Sequence, residues 1–168
     1  MNALDLKTIN IYAPYSVWEE DDTFFFKTDF GINYSVDFDV DDNPLFTAYW
    51  FNLTNMSQEK SPGDIKIQKT IICIIEEFFR KNPDILLYMC STEDNHQAQR
   101  ARLFLRWFNR AEQQLKYLII ATEVKGEMID GKRRTEYIAL IVPRSHPQLE
   151  EIVNRFNEEV KMFNEYKP

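Results

Sequence analysis

Residues 23–40 read TFFFKTDFGINYSVDFDV, and the alternation in this stretch decides the fold. Phe24, Phe25 and Phe26 favour a strand, Asp29-Phe30-Gly31 supplies turn chemistry, and Ile32, Tyr34, Val36, Phe38 and Val40 then alternate with polar residues. A period of two with one polar side predicts a hairpin with one wet face. Asp41-Asp42-Asn43-Pro44 turns the chain again, and the aromatic-rich run Leu45 to Leu53 suits a third strand, completing a meander.

Downstream, Asp64 is placed to cap a helix in which Ile67, Ile71, Ile74, Ile75, Phe78 and Phe79 recur at helical spacing, ending near Asn82-Pro83. Ile85 to Cys90 is short and apolar, as a buried central strand is, and is expected between the third strand and Tyr117 to Val124 in one sheet. Ser91, Thr92 and Asp94 can cap a second helix running to about Glu112, with Ala101, Phe104, Leu105 and Phe108 on one face. Tyr117 to Val124 and Thr135 to Val142 flank Asp130-Gly131, a pair suited to a type I′ turn, so a second hairpin follows. Ser145-His146-Pro147-Gln148 has capping-box spacing, and Leu149, Ile152, Val153, Phe156, Val160 and Phe163 mark a last amphipathic helix.

Upstream, residues 1–22 end in Glu19-Glu20-Asp21-Asp22 and carry only short alternations such as Ile9 and Ile11, which reads as a loosely structured N-terminal arm. The expected architecture is that arm followed by a single α+β domain over residues 23–168. Its sheet is mixed and mostly antiparallel, in βββ-α-β-α-ββ-α order with helices packed on it.

Among the 168 residues the formal charge is −7, and the pI is near 4.9. That balance argues against nucleic-acid partners, whose binding draws on Lys and Arg to release counterions. No run approaches the roughly 20 apolar residues of a membrane span, and the first residues lack the pattern of a signal peptide. No membrane contact and a cytoplasmic location are expected. Cys73 and Cys90 lie in apolar runs with no CxxC pair, as buried reduced thiols do.

Asp37, Asp39 and Asp41 occupy alternate positions, as calcium ligands do, but Asp42 and Ala48 stand where an EF-hand loop needs Gly and Glu. A solvated strand face is the better reading. His96 and His146 have no Cys or second His at ligand spacing, so no metal site is expected. Nucleophile-elbow, phosphate-loop and dinucleotide motifs are absent. The charge anomaly is the second helix, where Arg100, Arg102, Arg106 and Arg110 occur with no acid between Asn95 and Ala111. Arg102, Arg106 and Arg110 form an i, i+4 stripe that either holds phosphate or pairs with carboxylates such as Glu150, Glu151, Glu158 and Glu159.

The order of elements from Thr23 to Val142 resembles the later part of the GNAT acetyltransferase fold: meander, helix, central strand, helix and closing hairpin. That resemblance implies an acyl-coenzyme A, or a similar phosphorylated ligand, with its pyrophosphate at the start of the helix after the meander. In this chain the place is Ser61-Pro62-Gly63-Asp64-Ile65-Lys66, so Gly63, Ile65 and Lys66 are the implied contacts. Asn95, in Asn95-His96-Gln97-Ala98, looks like the family's Asn that opens the next helix, and Arg102, Arg106 and Arg110 would add phosphate contacts. The family's glycine-rich loop is reduced to Gly63, and Phe104 stands where the family often keeps a tyrosine acid. The implied domain therefore binds without a nominated catalytic residue; if active, it would be an N-acyltransferase. The stretch Ile85 to Asn109, with its Leu-Tyr-Met-Cys-Ser and Arg-Leu-Phe-Leu-Arg-Trp-Phe, is also similar to a Bacteroidetes-type family of short bacterial proteins, a domain of unknown function. The competing class is a non-enzymatic protein-interaction module, using the acidic strand face or aromatics such as Trp18, Trp50 and Trp107. The sequence leaves oligomeric state open.

Overall fold

The computed structural model describes residues 1–42, 45–60, 62–91, 106, 108 and 110–166. Backbone packing divides the chain into two compact units, Met1–Asp42 with Tyr49–Pro83, and Asn43–Ala48 with Asp84–Pro168. Across the described residues the class is α+β, and every strand pair inside either unit is antiparallel.

In the first unit, residues 1–22 are not a loose arm. They carry α1 (Leu6–Tyr12) and β1 (Trp18–Glu20), with Leu4, Ile9, Tyr15 and Val17 buried. Asp5 caps α1 by accepting from the Lys7 amide at 3.0 Å and the Thr8 hydroxyl at 2.9 Å. The Asn10 carboxamide then accepts from Val17 N at 2.8 Å and donates to Val17 O at 2.9 Å, folding the segment back on itself. Further on, Asn2 N donates to Asn82 Oδ1 at 2.7 Å and Asn82 Nδ2 donates to Asn2 O at 3.1 Å.

β2 (Thr23–Lys27) and β3 (Asn33–Val40) form the expected hairpin, Phe24 opposite Val36 and Phe26 opposite Tyr34. The turn passes through Gly31, whose φ of +78° lies in the left-handed region that a Cβ disfavours. β4 (Ala48–Asn55) pairs with β3, giving the order β1-β2-β3-β4. Phe24, Phe26, Tyr34, Val36 and Phe51 are buried on one face. α2 (Ile65–Lys81) covers it, the Phe78 ring stacked on Phe38 at 4.6 Å and edge-on to Tyr49 at 5.6 Å. Each fully buried aromatic or aliphatic side chain of this kind contributes roughly 1.5–3 kcal/mol.

In the second unit, β5 (Ile85–Ser91) is followed by α3 (Ala111–Lys116), β6 (Tyr117–Ile129), β7 (Lys132–Pro143) and α4 (Leu149–Tyr166). The Asp130-Gly131 turn has φ of +51° and +74°, as a type I′ turn requires. The strand order is β5-β7-β6, so Tyr117 to Val124 is not the neighbour of Ile85 to Cys90; β7 lies between them. The physical reason is that Ala139, Leu140, Ile141 and Val142 are buried on both faces, as an interior strand is. β6 instead carries exposed Ala121, Glu123 and Lys125. Just ahead of α4, His146 Nδ1 accepts from Gln148 N at 3.1 Å.

Candidate functional site

The amino end of α2 is where a phosphate was expected. Asp64 has extended backbone, as an N-cap does, and its Oδ1 accepts from the Lys66 amide at 2.9 Å. Its other oxygen accepts a hydrogen bond from the Tyr15 hydroxyl. That hydroxyl accepts in turn from Asp29 N at 3.3 Å. Lys66 Nζ is 3.0 Å from Asp29 Oδ2 and lies over the Tyr15 ring, 5.7 Å from its centroid. Burial of the phenol, together with its bond to Asp64, pushes the Tyr15 pKa up to about 12. The hydrogen bond to Asp29 raises that of Lys66.

Gly63, Ile65 and Lys66 therefore do come together at one helix start, but that start is already provided for. A chain carboxylate accepts one of its free amides, and the nearby ammonium has its own carboxylate partner. An incoming phosphate would meet Asp64 and Asp29 as like charges. Gly63 has no left-handed backbone, and a Cβ there would meet nothing within 4 Å, so neither conformation nor close approach requires the glycine.

The arginine stripe is also changed. Asn95 and Arg102 lie outside the described residues, as do Arg100, His96 and Trp107. Arg106 has helical backbone and is exposed. Arg110, also exposed, has extended backbone with φ −72° and ψ 155°, and α3 begins after it. The single helix expected to reach Glu112 is thus interrupted, and Arg110 does not continue an i, i+4 stripe from Arg106.

The opposite face of the first unit's sheet is wet. The Trp18 ring stacks on Phe25 at 5.7 Å, and Asn52 Nδ2 donates to Asp37 Oδ1 at 2.7 Å and Asp39 Oδ2 at 2.8 Å. Trp50 Nε1 donates to Asp41 Oδ1 at 3.0 Å. The Asp37-Asp39 alternation is thus a strand face, as read from its spacing. A groove of about 370 Å³ in the second unit is lined by Leu45, Phe46, Glu151, Arg155 and Glu158 among others. The groove places no buried ionisable group, and Arg155 lies 3.9 Å from Glu159.

Among the described residues no group of three or more His, Cys, Asp or Glu side chains is arranged to hold a metal ion. None of the described helices is long and apolar enough to cross a membrane. Sequence reasoning missed the Tyr15–Asp64–Asp29–Lys66 network. Its Tyr15–Asp64 bond spans 49 residues, and only the cap at Asp64 has a local signal.

No curated protein and no solved structure matches the chain. Residues 63–158, more than half of its length, match the model of a family of unknown function, DUF6169, and the chain belongs to that family.

Proposed function

We propose that this chain is a non-enzymatic interaction module that takes a positively charged partner segment on the outer face of the β1–β4 sheet. One observation carries the reading: Trp18, Phe25 and Trp50 share a wet sheet face with Asp37 and Asp39, and Asp41 joins it through Trp50. Carboxylates beside aromatic faces attract guanidinium and ammonium groups both by charge and by cation–π contact. The net charge of −7 supports a basic protein segment over nucleic acid as the partner. Calorimetry with an arginine-rich peptide tests it. Binding should weaken several-fold in Asp37→Asn/Asp39→Asn and fall with salt; affinity unchanged by both would remove the reading.

The second reading is a GNAT-like domain that binds acyl-coenzyme A or a similar phosphorylated ligand. The observation favouring it is the order of elements, an antiparallel meander, α2, β5 and a closing hairpin. Exposed Arg106 and Arg110 supply cations within the second unit. Heat or a thermal shift with millimolar coenzyme A or acetyl-coenzyme A is expected on this reading, weakened by Arg106→Ala and strengthened by Asp64→Asn. A flat titration would leave the interaction module standing.

A further inference from the structure

The outer edge of the second unit's sheet is closed by a side chain in place of a strand. β6 is the outermost strand, and its inner edge pairs with β7, Val124 opposite Glu136. On the other edge, Lys125 N donates to Asn164 Oδ1 at 2.9 Å, and Asn164 Nδ2 donates to Glu123 O at 3.4 Å. Asn164 lies in the last turn of α4, half-buried. Its carboxamide has the donor and acceptor of a peptide group, and it occupies the place on Glu123 and Lys125 that a neighbouring strand would take. Since peptide groups alternate in direction along a strand, those of Ile119 and Ala121 point outward on the same edge.

This edge is self-complementary. If two β6 strands pair antiparallel about a two-fold axis at Val124, Glu123 of each copy stands directly opposite Lys125 of the other, so one contact forms twice. Both side chains are exposed and available for it, and Val124 turns to the buried face. The neighbouring residues, Leu118, Ile119 and Ile120, are half-buried and strand-forming, the composition of an edge that pairs when it is not blocked.

We propose that the outer edge of β6 is a pairing site for a second copy of this chain, held shut by the Asn164 carboxamide. The inference is independent of the partner-binding face on the first unit. Displacing the last turn of α4 frees Glu123 O and Lys125 N, and the two copies then join into one continuous ladder.

Sedimentation velocity on the full chain from micromolar to millimolar concentration tests this. The natural protein should be mainly monomeric, and Asn164→Ala should tighten dimerisation by on the order of tenfold. In the Asn164→Ala background, Glu123→Lys places like charges opposite each other twice and should abolish the dimer. Adding Lys125→Glu should restore it. A wholly monomeric Asn164→Ala protein, a dimer indifferent to Glu123→Lys, or a natural dimer as tight as the variant's would each overturn the proposal. Should Asn164→Ala fray α4, the natural protein supplies the measurement: hydrogen exchange at the Ile119 and Ala121 amides should slow as concentration rises, and exchange independent of concentration overturns the proposal.

Discussion

The two units build their sheets by different rules. In the first, β2 and β3 alternate between a ring-filled face and a wet one, and Tyr15, Phe26 and Tyr34 stack in series at 6.1 and 5.3 Å. In the second, Ile85 to Tyr88 and Ala139 to Val142 are continuous buried runs with no wet side. An alternating strand announces both its class and its inward face, since the polar residues mark the outside. A continuous run announces only that it is buried, and its neighbours must be found in three dimensions.

The contrast is sharpest under core truncation. Phe78→Ala removes a ring that touches Phe38, Tyr49 and Phe79, and should cost about 3–5 kcal/mol in a denaturant titration. Ile141→Ala in the second unit, also fully buried, should cost about 2–5 kcal/mol. A Phe78→Ala loss below about 1 kcal/mol would mean that the ring stack is not what holds α2 to the sheet.

The two helix starts give a smaller contrast. Asp64→Ala removes the cap of α2 and also strands the Tyr15 hydroxyl, so its cost should be about 2 kcal/mol. His146→Ala removes one exposed contact just ahead of α4 and should cost less than about 1 kcal/mol.

Tyr15→Phe isolates the phenol and should cost about 1 kcal/mol at neutral pH. Its signature is pH dependence. The folded-state pKa, about 12, lies above the ordinary value of 10.0, so folding favours the protonated phenol. The resulting stability is complete below pH 10 and drains away as pH rises toward 12. Tyr15→Phe should flatten that part of the curve, and an unaltered alkaline limb would show that other groups set it.

The smallest effect is a gain. Gln68 is buried in α2, and its Nε2 has no hydrogen-bond partner among the described residues. Gln68→Met keeps the shape and removes the orphaned donor, so the unfolding midpoint should hold or rise by up to about 1 kcal/mol of stability. A clear loss would point to a partner for that amide.

What was legible in the sequence follows the same physical line. The β2–β3 hairpin, the Asp64 cap, the stop at Asn82 and the Asp130-Gly131 turn all carry their signals within a few residues. α1 and β1, at 7 and 3 residues, are too short for a period to emerge. Placing β7 between β5 and β6 depends on which of two apolar strands is buried on both faces, which neither composition displays. The break at Arg110 has only a weak local signal, the poor helix former Asn109 ahead of it. Of the candidate site, Gly63, Asp64, Ile65 and Lys66 lie together in the sequence, but the Asp29 carboxylate and the Tyr15 phenol that complete that place come from distant segments.

The bond from Asn2 to Asn82 spans 80 residues, and this has a consequence for birth order. A ribosome adds about 5–20 residues per second, so Asn2 waits on the order of 4–16 s after its own synthesis before Asn82 has even been made. During that interval the first turn of the protein has no partner for its amide. Its ordering is therefore among the last events of the first unit's assembly, and a peptide fused ahead of Met1 would be carried to the far end of α2.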